Sequence, residues 1–183
     1  MTAISVFAAV LLAGQPLPGE TEIDFAAQSG ETVSAYRGTL DVREHRADPG
    51  SRMITLSYVR FPATTDDPGD PIVYLAGGPG GSGSRTAQGP RFPLFMAMRA
   101  HGDVIAFDQR GTGDSTALAV CRTDIRVPED RAAETAELTA AYRRAAAQCR
   151  AFWAGEGIAI EGYTTLESVA DLSQLRAHLG ADR

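Results

Sequence analysis

Apolar and polar residues alternate along "YRGTLDVREH" (36–45) and again along "RMITLSYVRFPA" (52–63). Between them "RADPGS" carries Asp-Pro-Gly turn chemistry, so the pair predicts an antiparallel β-hairpin. "TTDDPGDP" (64–71) is a polar, proline-bounded loop. "IVYLA" (72–76) is continuously apolar, the pattern of a short strand buried on both faces, and "DVIAFD" (103–108) predicts a second such strand. "RFPLFMAMRAHG" (91–102) predicts a short helix stopped at Gly102, and the Ala- and Arg-rich stretch 129–157 has helical spacing. The clearest helix is "TTLESVADLSQLRAHLG" (164–180). Thr164 and Glu167 have capping-box spacing, Val169, Leu172, Leu175 and Leu179 form an apolar stripe, and Gly180 stands at the stop. Strand, glycine loop, helix, strand and helix in that order imply an α/β core with parallel strands and the hairpin at one side.

Composition narrows the function classes. The chain has 183 residues, 44% hydrophobic and 22% charged, enough for one domain with a real core. Its net charge is −6 and it has no dense basic run, which speaks against a nucleic-acid partner. All 17 basic residues are arginine; lysine is absent. The uncharged apolar stretch Ala3–Ala13 has the length of a secretory h-region and is too short to span a bilayer. Residues 1–14 are therefore read as a signal segment and 15–35 as a leader, with a secreted or periplasmic protein expected. Cys121 and Cys149 bracket an insert-like region, and in an exported protein they are expected to form a disulfide closing it. Their spacing fits neither a redox nor a zinc motif.

The chemistry turns on "IVYLAGGPGGSGS" (72–84). Gly78-Pro-Gly80-Gly-Ser-Gly83 satisfies the dinucleotide pattern G-x-G-x-x-G, with Asp108 at the end of the next strand as a ribose-binding acid. Against that alternative, Pro90 and Pro93 delay the helix that would receive a pyrophosphate, and "DQRGTGDS" (108–115) is left unexplained. A P-loop is excluded because it needs a lysine. The third reading is an oxyanion-hole loop, in which backbone N–H groups after a buried strand face the charge that develops on a substrate carbonyl.

Two ordered motifs decide among these. "LAGGPGGSG", with Gly77, Gly78, Pro79 and Gly80, is followed by Asp108, Arg110, Gly111, Gly113 and Ser115 in "DQRGTGDS". Together they resemble the proline iminopeptidase and tripeptidyl aminopeptidase branch of the α/β-hydrolases, over roughly residues 36–183. The resemblance implies the N-terminal part of an α/β-hydrolase fold and a secreted serine hydrolase that releases N-terminal residues from peptides. It implies no cofactor and no metal. An esterase or lactonase acting on a small acyl substrate is the near alternative. Gly77 and Gly78 would line the oxyanion hole, and Asp108 and Arg110 are expected to pair with each other across their turn. Ala76 departs from the family's usual histidine.

The chain contains no Gly-x-Ser-x-Gly: Ser82 is followed by Gly83-Ser84, and Ser115 by Thr116-Ala117. The resemblance places the nucleophile on the strand that would follow the last helix. The 183 residues are therefore expected to be inactive alone, to need a C-terminal half, and to expose 72–76 as an aggregation-prone strand edge. His45, His101 and His178 are read as ordinary structural residues, Ser115 as a turn serine, and Arg143, Arg144 and Arg150 as a solvated helix face.

Overall fold

The computed structural model describes residues 14–128 and 130–181, so the apolar segment at 1–13 lies outside the described residues. Five strands form one mixed sheet: β1 (Thr21–Ala26), β2 (Thr32–Arg43), β3 (Met53–Phe61), β4 (Ile72–Leu75) and β5 (Val104–Asp108), in the order β1-β2-β3-β5-β4. The expected hairpin is β2–β3, antiparallel with Arg43 opposite Met53 and Tyr36 opposite Arg60. β5 runs antiparallel to β3 and parallel to β4. Three α-helical segments flank the sheet, α1 (Gly83–Gln88), α2 (Phe92–Met98) and α4 (Thr165–His178), whereas α3 (Thr135–Gly155) buries only Ala141.

The two faces of β5 explain its unbroken apolar run. Val104 and Ala106 pack with Val59 and Phe61 of β3 beneath Ala87 of α1 and Phe92 and Phe95 of α2. Ile105 and Phe107 point the other way, onto Ile54, Leu56 and Tyr58 and under Leu175 of α4. Alternate residues thus enter separate cores, each fully buried Val, Ile or Phe side chain contributing about 1.5–3 kcal/mol. The sequence of β4 looks the same, yet Val73 and Leu75 remain exposed. The reason is position. β4 pairs only with β5, so its other side has no partner strand among the described residues.

The segment read as a leader is packed into the fold. Ile23 and Phe25 of β1 join the first core, and the buried carboxylate of Glu20 pairs with Arg60, which also donates to Gln15 O (2.8 Å) and Asp103 Oδ2 (2.8 Å). In α4 the Thr164 hydroxyl accepts from the Glu167 N–H (3.3 Å), half of the expected capping box. The Glu167 carboxylate instead accepts from the Arg46 N–H (2.8 Å) in the hairpin turn. Val169 of the expected stripe is exposed, while Leu175 is buried and Leu172 and Leu179 are half-buried against the second core. Cys121 and Cys149 are joined by a disulfide, and Trp153 Nε1 donates to Ala119 O (2.8 Å), so α3 is tied to the irregular segment after β5.

Candidate functional site

At the carboxyl end of β4 the chain turns through Ala76–Ser82 and enters α1 at once. Ser82 is its N-cap, accepting from the Arg85 N–H at 3.0 Å. The sequence reading delayed the helix to Arg91 because Pro90 and Pro93 are poor helix interiors; instead a separate, short helix fits before them. Gly83 makes this possible, since a Cβ there would sit 2.4 Å from the Phe107 carbonyl oxygen of β5. Only a glycine lets the helix start lie directly on the strand. Gly78 and Gly80 have φ of +154° and +86°, and the Gly78–Pro79 peptide is cis.

Beneath the loop lies Asp108, fully buried at the end of β5. Its Oδ1 accepts from the Ser82 hydroxyl (2.8 Å) and the Ser84 N–H (3.0 Å). Its Oδ2 accepts from the Ser84 hydroxyl (2.7 Å) and the Asp114 N–H (2.9 Å). Four donors fill the acceptor capacity of a carboxylate. The second motif wraps around the same group: Gly113 has φ +55°, and a Cβ on it would sit 2.2 Å from the Asp108 carboxyl carbon. Ser115 closes the turn by donating to Asp108 O (2.6 Å) and accepting from the Ser57 N–H (2.9 Å). One buried carboxylate therefore joins the two glycine-rich motifs, and it is unavailable to a ribose.

Asp108 and Arg110 do not pair with each other, contrary to the sequence expectation. They leave the strand end in different directions. Arg110, also buried, makes a two-point contact with Asp171 of α4 (Nε to Oδ2 2.8 Å, Nη2 to Oδ1 2.7 Å) and donates to the carbonyls of Glu44 (2.6 Å) and Gly162 (2.5 Å). Arg46 reaches the same Asp171 at 2.7 Å. Gly111 (φ +73°) turns the chain against the Tyr163 ring. The Glu44 carboxylate accepts from Arg52 (2.8 Å), the Ala159 N–H (3.0 Å) and the Tyr163 hydroxyl (2.9 Å). Burial opposes its charge, but those hydrogen bonds outweigh burial and hold the carboxyl below its usual range. Burial and the bond to Glu44 together push the Tyr163 hydroxyl up to about 12.

Sequence reasoning missed Ser84, Glu44 and Asp171, and considered Ser82 only as a nucleophile. Asp171 left a signal: it lies one turn before Leu175, on the inward face of α4. Neither serine is free to act as a nucleophile, since both hydroxyls are buried on Asp108.

Gly77, Pro79 and Gly80 stand exposed at the loop tip together with Gly78, and no hydrogen bond among the described residues uses the N–H of Gly77 or Gly78. The Ala76 carbonyl, by contrast, accepts from Gln109 Nε2 at 3.2 Å, tying the loop base to the second motif. The tip separates two clefts. One, of about 980 Å³, is lined by Tyr74, Gly77, Arg85, Thr86 and Arg91 among others. The other, of about 300 Å³, lies toward Thr112, Tyr163, Thr165 and Ser168. Free N–H donors on an anchored loop beside a cleft can receive a carbonyl oxygen that gains negative charge. Among the described residues no cluster of His, Cys, Asp and Glu could hold a metal ion, and no helix is long and apolar enough to cross a membrane.

No family model matches the chain. It is 35% identical over 103 residues to Carboxylesterase B of Mycobacterium tuberculosis, a match covering 55% of this chain and 19% of that protein. It is 34% identical over 90 residues to Serine protease Hip1 of the same species, covering 49% of this chain and 17% of the relative. Serine protease Hip1 of Mycobacterium bovis matches to the same extent. The chain thus spans about a fifth of the length of these relatives at most. Distant homologues with these names support a hydrolase family.

Proposed function

We propose that this chain supplies the oxyanion loop of an exported serine hydrolase of the α/β-hydrolase type, acting on peptides from their N-terminus. One observation carries the reading. The Gly77 and Gly78 N–H groups are unengaged at the tip of a loop whose base is fixed by three hydrogen bonds to Asp108, from Ser82 and Ser84. Donors held in place before the reaction stabilise an oxyanion without reorganising, and removing one such donor costs about 10²–10³ in rate. The Gly78 N–H is the first choice as donor. A serine, histidine and acid acting as nucleophile, base and orienter would come from residues outside this chain. The name Carboxylesterase B favours a second reading, an esterase on the same scaffold.

The test has two parts. A fluorophosphonate probe is expected to leave the 183-residue chain unlabelled; stoichiometric labelling of Ser82 or Ser115 would overturn the assignment of both as structural. The chain is then co-expressed with a downstream segment carrying Gly-x-Ser-x-Gly and assayed on peptide p-nitroanilides and p-nitrophenyl esters. Cleavage of the anilides supports the aminopeptidase reading, cleavage of esters alone the esterase, and no cleavage of either contradicts the proposal.

A further inference from the structure

Five arginines around the sheet are matched by an acid: Arg37 by Asp114, Arg46 by Glu167, Arg52 by Glu44, Arg60 by Glu20 and Arg110 by Asp171. Arg43 and Arg99 donate to backbone carbonyls. Arg85 and Arg91 have neither kind of partner. Arg91 donates to the Tyr74 hydroxyl, and the Arg85 guanidinium has no partner among the described residues. Both line the larger cleft beside Gly77, and the lining contains no aspartate or glutamate. In a chain of net charge −6 this is a local reversal of sign. The wall is also built to hold it: Tyr74, which receives Arg91, packs its ring 4.8 Å from the buried ring of Phe95. Gln28, a neutral residue, also lines the same cleft.

We infer that this cleft is a carboxylate subsite, in which Arg85 and Arg91 bind an anionic group of the substrate whose reacting carbonyl lies at Gly77 and Gly78. The inference rests on the oxyanion-loop reading for its choice of substrate. Guanidinium donors suit the planar, two-oxygen geometry of a carboxylate. That carboxylate is either an acidic side chain or the free C-terminus of a short peptide.

Titration of the full chain, followed by the amide and arginine Nε signals, separates these sources. The probes are N-acetyl-glutamate α-amide for the side-chain carboxylate and N-acetyl-alanyl-alanine for the terminal one. Each is paired with its neutral amide. At least one carboxylate should bind about tenfold more tightly than its neutral partner. The double variant R85Q/R91Q should abolish that preference, whereas R85K/R91K keeps part of it, which separates loss of charge from loss of fold. Equal binding of neutral and charged probes, no binding of any, or a preference that survives in R85Q/R91Q would overturn the inference. None of these readouts needs turnover. A carboxylate preference without hydrolysis in the reconstituted enzyme would retain the subsite and remove the oxyanion reading; the reverse pattern would do the opposite.

Discussion

The base and the tip of the glycine loop differ in almost every physical respect although only three residues, 79–81, lie between Gly78 and Ser82. At the base, Ser82 and Ser84 are buried and each bonds the Asp108 carboxylate. At the tip, Gly77 and Gly78 are exposed and their N–H groups have no acceptor among the described residues. Burying four donors around one carboxylate fixes the chain locally, because any alternative leaves polar groups unpaired away from water. Leaving donors unpaired at an exposed tip costs little, since water satisfies them until a ligand arrives. Rigidity and availability are thus placed on adjacent stretches of one loop.

The largest expected effect comes from removing the anchor. Asp108→Ala leaves the Ser84 and Asp114 N–H groups without an acceptor, and urea unfolding should show a loss of about 3–5 kcal/mol. A loss under about 1 kcal/mol would mean that water replaces the carboxylate and that the base is not rigid.

Two glycines sharpen the contrast next. A methyl at position 83 would meet the β5 backbone at 2.4 Å, so Gly83→Ala should cost about 3 kcal/mol. A methyl at Gly77 meets nothing within 4 Å, and Gly77→Ala should stay within about 0.5 kcal/mol of the parent chain. Thermal or urea unfolding of both variants checks the pair. Equal costs would erase the distinction between base and tip.

Acid gives the smallest and most gradual effect. Glu20, Glu44 and Glu167 are each penalised by burial but held below the ordinary value of 4.5 by hydrogen bonds and nearby arginines. Because their folded values are depressed, the stability they contribute is complete above about 4.5 and is lost as pH falls through the folded values. Unfolding free energy measured from pH 7 to pH 3 should therefore be level at first and decline below about 4.5, and Glu44→Gln should flatten part of that decline.

How much of this was legible depends on whether a residue's partner is near it in sequence. β2, β3, β5 and α4 follow from local periodicity, and the turn at Asp48-Pro49-Gly50 follows from residue type. β1 was hidden because only Ile23 and Phe25 face the core, too short an alternation to stand out. α1 was hidden because it has six residues, begins with glycine and buries a single large-enough apolar group, Ala87; its stability comes from the Ser82 cap and contact with β5. Taken alone, "IVYL" reads as a central strand; the resemblance was what led to the expectation of an open edge, and among the described residues β4 pairs only with β5. Both glycine motifs were visible, but their connection was not. The bonds from Ser82 and Ser84 to Asp108 join residues 26 and 24 positions apart, and no local pattern marks which partner a buried carboxylate will take.

Amide hydrogen exchange resolved by residue tests the central claim most directly, because it reads base and tip in one sample. The Ser84 and Asp114 N–H groups, both bonded to Asp108, should exchange only through large-scale opening. The Gly77 and Gly78 N–H groups should exchange at nearly the rate of an unstructured peptide. Protection at Gly77 and Gly78 equal to that at Ser84, or rapid exchange at Ser84 and Asp114, would contradict an anchored loop that holds its donors open.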